Sequence, residues 1–110
     1  MAQFEALDVA MQLARQVGPL LTGLRKHDRD LAGQLRRACT SAASCLAEGN
    51  QRRGGDRIQL FAPAGGSAAE VRSQIVLAAA WGFVPEDEAA NAAKLADRVV
   101  AMCWRLTRPR

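Results

Sequence analysis

The sequence predicts an all-α fold, an antiparallel up-down-up-down four-helix bundle that takes residues 1–110 as a single domain. Three features lead there. Apolar residues recur at alternating steps of three and four through four successive segments, the period of a helix with a buried seam. The breaks between these segments are short and hold aspartate, glycine or proline, so each helix must turn back on the one before. Hydrophobic residues make up 49% of the chain but aromatic ones only 5%, with no tyrosine, so alanine does much of the apolar work and helices can approach closely.

In the first segment Phe4, Leu7, Met11, Ala14, Leu21 and Leu24 form the seam. A second stripe, Leu13, Val17, Leu20 and Leu24, runs beside it, so this helix is expected to bury two faces, the second as an oligomer interface with a neighbouring copy. Gly18-Pro19 should kink the helix or loosen one turn, because proline lacks the donor for the preceding turn. The stretch RKHDRD then reads as a solvated connection in which His27 is a surface histidine and either Asp28 or Asp30 caps the next helix.

The second helix carries Leu31, Leu35, Ala38, Ala42, Cys45 and Gly49, a heptad seam made mostly of small residues. Ser41 and Ser44 are expected to return their hydroxyls to the preceding turn. Glu48 falls where the helix dipole disfavours a carboxylate, which makes Arg52 or an arginine of another helix a reasonable partner. Gly49, Gly54 and Gly55 supply the freedom to stop and reverse.

Asp56 is a good cap for a third helix running through Ile58, Phe61, Gly65, Ala68, Val71 and Ile75 to Trp81. Pro63 and the following Gly65-Gly66 disturb it, through either a kink or a true start near Ala62; Ile58 and Phe61 keep the register and favour the kink. Gly82 ends this helix. Pro85, Glu86, Asp87 and Glu88 open the fourth, whose seam is Ala92, Ala96, Val99, Cys103 and Leu106. The closing RLTRPR reads as a short, frayed basic tail.

Several function classes find no support. The three cysteines, Cys39, Cys45 and Cys103, include no CxxC, and on a helix Cys39 and Cys45 point about 240° apart. Reduced thiols in a cytoplasmic protein, with no metal and no cofactor, are the expectation. GGSAAE follows no strand and leads into no GKS or GKT, so a phosphate loop is not indicated. The acidic triplet of residues 86–88 fans around its helix and reads as dipole compensation. One histidine and scattered thiols offer no base positioned against a nucleophile, so no enzyme is expected. No apolar run is long enough for a membrane span.

The stretch QLRRACTSAASCLAEG, then RR, GGSAAEVRSQI and AWGFVPEDE resembles the bacterial four helix bundle family, also known from intervening sequences of large-subunit ribosomal RNA genes. The matching positions are Gln34 to Ala38, Ser41, Leu46 to Gly49, Arg52, Arg53, Gly66, Ser67, Glu70, Val71 and Gly82 to Val84. Among them Glu48, Gly49, Gly66, Ser67 and Glu70 are motif residues to which the resemblance gives a structural role. It implies a left-handed antiparallel bundle, commonly a homopentamer, with more distant similarity to the accessory variability determinants of diversity-generating retroelements, which associate with nucleic acid. Cys45 replaces the family's usual asparagine, and Pro63 falls where the family continues a regular helix.

The net charge of +4 is almost all arginine, since Lys26 and Lys94 are the only lysines. Arg36, Arg37, Arg52, Arg53 and Arg57 are accordingly the candidate contacts to RNA or DNA phosphates. For Arg36 and Arg37 the competing reading is pairing with Glu48, Glu70 or a neighbouring protomer. The competing reading for the whole chain is a scaffold that docks a partner protein through Trp81, Phe83 or Trp104, with no nucleic acid.

Overall fold

The computed structural model describes residues 4–108 and contains four helices: α1 (Glu5–His27), α2 (Arg29–Asn50), α3 (Asp56–Ala80) and α4 (Glu86–Leu106). Each packs against its neighbours in sequence, and α1 also packs against α4, closing an up-down-up-down bundle. The bundle is elongated, 43 × 23 × 22 Å, with helices along the long axis.

The connections follow local chemistry. Asp28 alone separates α1 from α2; its backbone N–H closes the last turn of α1 on Leu24, and its side chain accepts from Leu31 N at 2.9 Å. It, not Asp30, is the cap. The α3–α4 corner is a Schellman turn: Gly82, at φ 78°, bonds Ala79 O, and Phe83 N bonds Ala78 O at 2.9 Å. Pro85 precedes Glu86, Asp87 and Glu88 in the first turn of α4. Between α2 and α3 the chain turns through Gly54, at φ 63°.

One local expectation, at the start of α3, is corrected. Asp56 is the first residue of α3 and Gly55 holds the cap position without a side-chain bond, so the turn glycines, not an aspartate cap, set this start. The helix begins ahead of Pro63 and contains it, which discards a start near Ala62. Pro63 and Pro19 both lie on exposed sides of helices that run on through them, where the carbonyl each leaves unpaired can turn to water.

The interior is two connected regions. One gathers Leu13, Val17, Leu24, Leu35 and Ile75; the other surrounds Phe61 with Val9, Leu46, Val99 and Met102. The stripe assigned to an outer face of α1 therefore points inward: Leu13, Val17, Leu20 and Leu24 are 0–6% exposed within this one chain. Their apolar surface is spent on α2, α3 and α4, and none remains for a neighbouring copy. Met11, counted in the first seam, is on the outside instead.

Small residues let the helices close around Phe61. A Cβ built on Gly49 would sit 2.6 Å from the Phe61 ring, and one on Gly65 would sit 3.1 Å from the Cys103 Cβ. Gly49 is thus the point where α2 rides over the one large buried aromatic of α3. Ser67 donates across the same helix pair to the Ser41 hydroxyl at 3.0 Å. That side chain reaches a neighbouring helix, where its own preceding turn had been expected.

Candidate nucleic-acid interface

The antiparallel arrangement puts the end of α2, the start of α3 and the end of α4 at one pole of the bundle. Phe4 marks the same pole from α1, with its ring 5.6 Å from that of Phe61. Arg52, Arg53 and Arg57 lie there, the first two exposed in the α2–α3 turn. Arg105 and Arg108 join them from the far end of the sequence: with Gly54 and Arg57 they line one open pocket of about 370 Å³.

Arg57 is half-buried. Its guanidinium lies over the Phe61 ring at 5.1 Å, and its Nε is shut off from water with no acceptor. Arg108 sits over the exposed Trp104 ring at 3.8 Å. Thr107 closes the last turn by donating its hydroxyl to Trp104 O at 2.9 Å, and α4 ends at Leu106, ahead of most of the tail expected to fray. Pro109 lies outside the described residues.

None of these arginines has an ion-pair partner among the described residues. Among the described residues the only ion pair is Arg72 with Asp97, on the exposed outer sides of α3 and α4. Among the described residues Glu48 pairs neither with Arg52 nor with an arginine of another helix, the two partners expected for it. Glu5 shares a neighbouring groove with Arg105 without pairing to it.

Arg36 and Arg37 are elsewhere. They stand roughly 20 Å back along α2 from its end. Arg37 lies along its own helix over Gly33, where an added Cβ would meet Nη1 at 3.2 Å. It opens with Gln34, Ser41, Ser67 and Glu70 onto a shallow polar groove between α2 and α3. No ion pair joins Arg36 or Arg37 to Glu48 or Glu70 within the described chain. The five sequence candidates therefore divide: three at the basic pole, two on the flank. The motif residues Ser67 and Glu70 belong to the flank groove, and Gln74 donates to Glu70 there at 3.4 Å.

Arg105 and Arg108 are the contributors that sequence reasoning passed over. Their signal was present in the basic tail, but only the return of α4 beside the start of α3 gives it meaning.

The opposite pole differs in character. His27 stacks on Phe83 at 4.8 Å with rings parallel to 1°, and Phe83 in turn faces Trp81 at 6.2 Å. The histidine is exposed, as expected, but packed on an aromatic ring. Trp81 and Trp104 are 65% and 56% exposed, so neither tryptophan belongs to the core.

The cysteines are free thiols; Cys39 and Cys103 are buried and Cys45 half-buried. Burial raises Cys39, and burial together with the nearby Cys45 raises Cys103 to about 11. Thiols held protonated in this way are poor nucleophiles and poor metal ligands. No group of three metal-binding side chains occurs among the described residues, and no helix among them is long and apolar enough to cross a membrane.

Fold and site together define a small antiparallel four-helix bundle protein with one arginine-rich pole. More particularly, the description of the 23S rRNA-intervening sequence protein family matches residues 2–105, and the chain belongs to that family. A similar solved structure is a protein of unknown function from the S23 ribosomal protein family of Bacteroides thetaiotaomicron, 14% identical, covering 94% of this chain and 99% of that one with a TM-score of 0.84. At that identity the likeness speaks for the fold. No curated protein matches.

Proposed function

We propose that this chain is a non-enzymatic, homo-oligomeric four-helix bundle protein that binds RNA or DNA through its arginine-rich pole. The observation that carries the reading is the convergence of Arg52, Arg53, Arg57, Arg105 and Arg108 on one pole with no ion pair to any of them among the described residues. Guanidinium groups left unpaired and partly exposed favour phosphate oxygens, which they can meet in bidentate fashion. The exposed aromatic at that pole is Trp104, and Arg108 lies over its ring, so affinity would come from the backbone rather than from base readout.

Self-association is supported by α3. Its outer side presents Ile58, Val76 and Leu77, each 43–47% exposed, among exposed alanines, Gly66 and Ser73, with Asp56, Glu70 and Arg72 the exposed charges of the helix. The pentamer implied by the family resemblance is the assembly proposed. The same apolar side, with Trp81 at its end, also favours the alternative of a scaffold for a partner protein without nucleic acid.

Fluorescence anisotropy with a short RNA and a short DNA duplex, titrated across a salt series, separates these readings. The logarithm of affinity should fall linearly with the logarithm of salt, by about 0.7–0.9 for each phosphate neutralised. Arg52→Gln combined with Arg53→Gln should lower that slope by about one to two units, whereas Arg36→Gln should leave it unchanged. Absence of binding at low salt would overturn the nucleic-acid reading and leave the scaffold.

A further inference from the structure

We propose that the pocket between the α2–α3 turn and the end of α4 receives a phosphate monoester, the group carried by a 5′-phosphorylated strand end or a nucleoside monophosphate. Its strand-end form rests on the nucleic-acid reading above and names the group which that pole selects; the pocket itself stands on its own geometry.

Among the described residues, three cationic side chains, Arg57, Arg105 and Arg108, wall the pocket, and Gly54, Ile58, Phe61 and Leu106 line the rest of it, with no carboxylate. Like charges brought to one concave place repel one another unless an anion sits between them. A phosphate monoester carries nearly two negative charges at neutral pH and three acceptor oxygens. An internal phosphodiester carries one charge, and a duplex backbone passes over a convex ridge more easily than into a recess at a bundle pole. Charge and shape therefore both favour a terminal group.

The arginines are also held in place before any ligand arrives. Arg57 rests on the Phe61 ring at 5.1 Å and Arg108 on the Trp104 ring at 3.8 Å. Such contacts reduce the freedom that binding would otherwise have to remove. The apolar side of the pocket, Ile58 and Leu106, leaves a surface for the sugar or base that a nucleoside phosphate brings with it.

The test compares a labelled short RNA bearing a 5′-phosphate with the same RNA ending in a 5′-hydroxyl, and uridine monophosphate with uridine by calorimetry. Each probe is run on the whole chain and on Arg105→Gln and Arg108→Gln, whose exposed positions leave the core intact; thermal melts check that. The phosphate-ended strand should bind about tenfold more tightly, and each variant should abolish the difference. Uridine monophosphate should bind where uridine does not. Equal binding of the two strands, unchanged by the variants, would overturn this inference while leaving the nucleic-acid reading intact. Binding of uridine monophosphate alone, lost in the variants, would support the pocket and overturn the strand reading. Failure of every phosphate probe would overturn it outright.

Discussion

Gly49 and Gly66 both belong to the family-like motifs, and their surroundings give them opposite roles. Gly49 is buried in α2, and any Cβ there would press to 2.6 Å on the Phe61 Cε1 and 2.9 Å on Cδ1, with the Leu60 Cβ at 3.3 Å. Phe61 is 1% exposed and cannot swing away. Gly49→Ala should therefore destabilise by about 1–3 kcal/mol despite alanine's better helix propensity. Gly66 faces open space within α3, so Gly66→Ala should stabilise by about 0.5–1 kcal/mol. Urea titration of the two variants reads both signs, and a stabilised Gly49→Ala would show that α2 does not ride on Phe61. Nothing in the single chain explains why the motif holds glycine at position 66. Cys103 supplies a pH dependence of definite sign. Its thiol titrates at about 11 in the folded chain against 9.0 when free, so the folded state keeps a proton that the unfolded chain gives up. That contribution to stability is full below pH 9 and is lost as pH rises toward 11. Denaturation midpoints should fall over that window, and the fall should be shallower in Cys103→Ala.

At the scale of the elements, periodicity carried the fold. The seams of α2 and α4 fell inside as spacing required, save that Cys45 and Leu106 are only half-buried: Leu31, Leu35, Ala38, Ala42 and Gly49 are buried in one, Ala92, Ala96, Val99 and Cys103 in the other. The Gly82 stop was equally plain, because one residue there must adopt a positive φ. Misreadings arose where one helix has more apolar positions than one face can hold. In α1 two stripes competed, and the choice between inside and outside depends on partners that periodicity does not name; Leu13 and Val17 went in while Met11 stayed out. In α3 the buried side is Phe61, Ala64, Ala68, Val71 and Ile75, yet the outer side is apolar too, so the spacing there discriminates little. The basic pole was half legible. Arg52, Arg53 and Arg57 share one short segment, but Arg105 and Arg108 reach them only because antiparallel packing returns the end of α4 to the start of α3.

The charge of the whole molecule is distributed along its 43 Å axis. The acidic triplet Glu86, Asp87 and Glu88 lies at the pole of the α3–α4 turn, where Arg25, Lys26 and Arg29 also stand, and Arg52, Arg53, Arg57, Arg105 and Arg108 lie at the other. A single copy offers a polyanion only one small basic cap. Copies arranged side by side through α3 would set several such caps on one face, and contacts too weak singly would act together. Self-association and phosphate binding are thus linked in the proposed protein. Light scattering after size-exclusion chromatography at moderate salt should give a mass near five times the 11.8 kDa of the chain. Val76→Glu and Leu77→Glu place charge on the outer side of α3 at positions 47% exposed, where the bundle's own core is untouched. They should yield single chains with helical content unchanged by circular dichroism, and RNA affinity should drop although no arginine has been altered. A wild-type chain that runs as a monomer would remove the assembly. Mutants that stay assembled would move the interface away from α3, to whichever remaining outer surface can exclude water between copies.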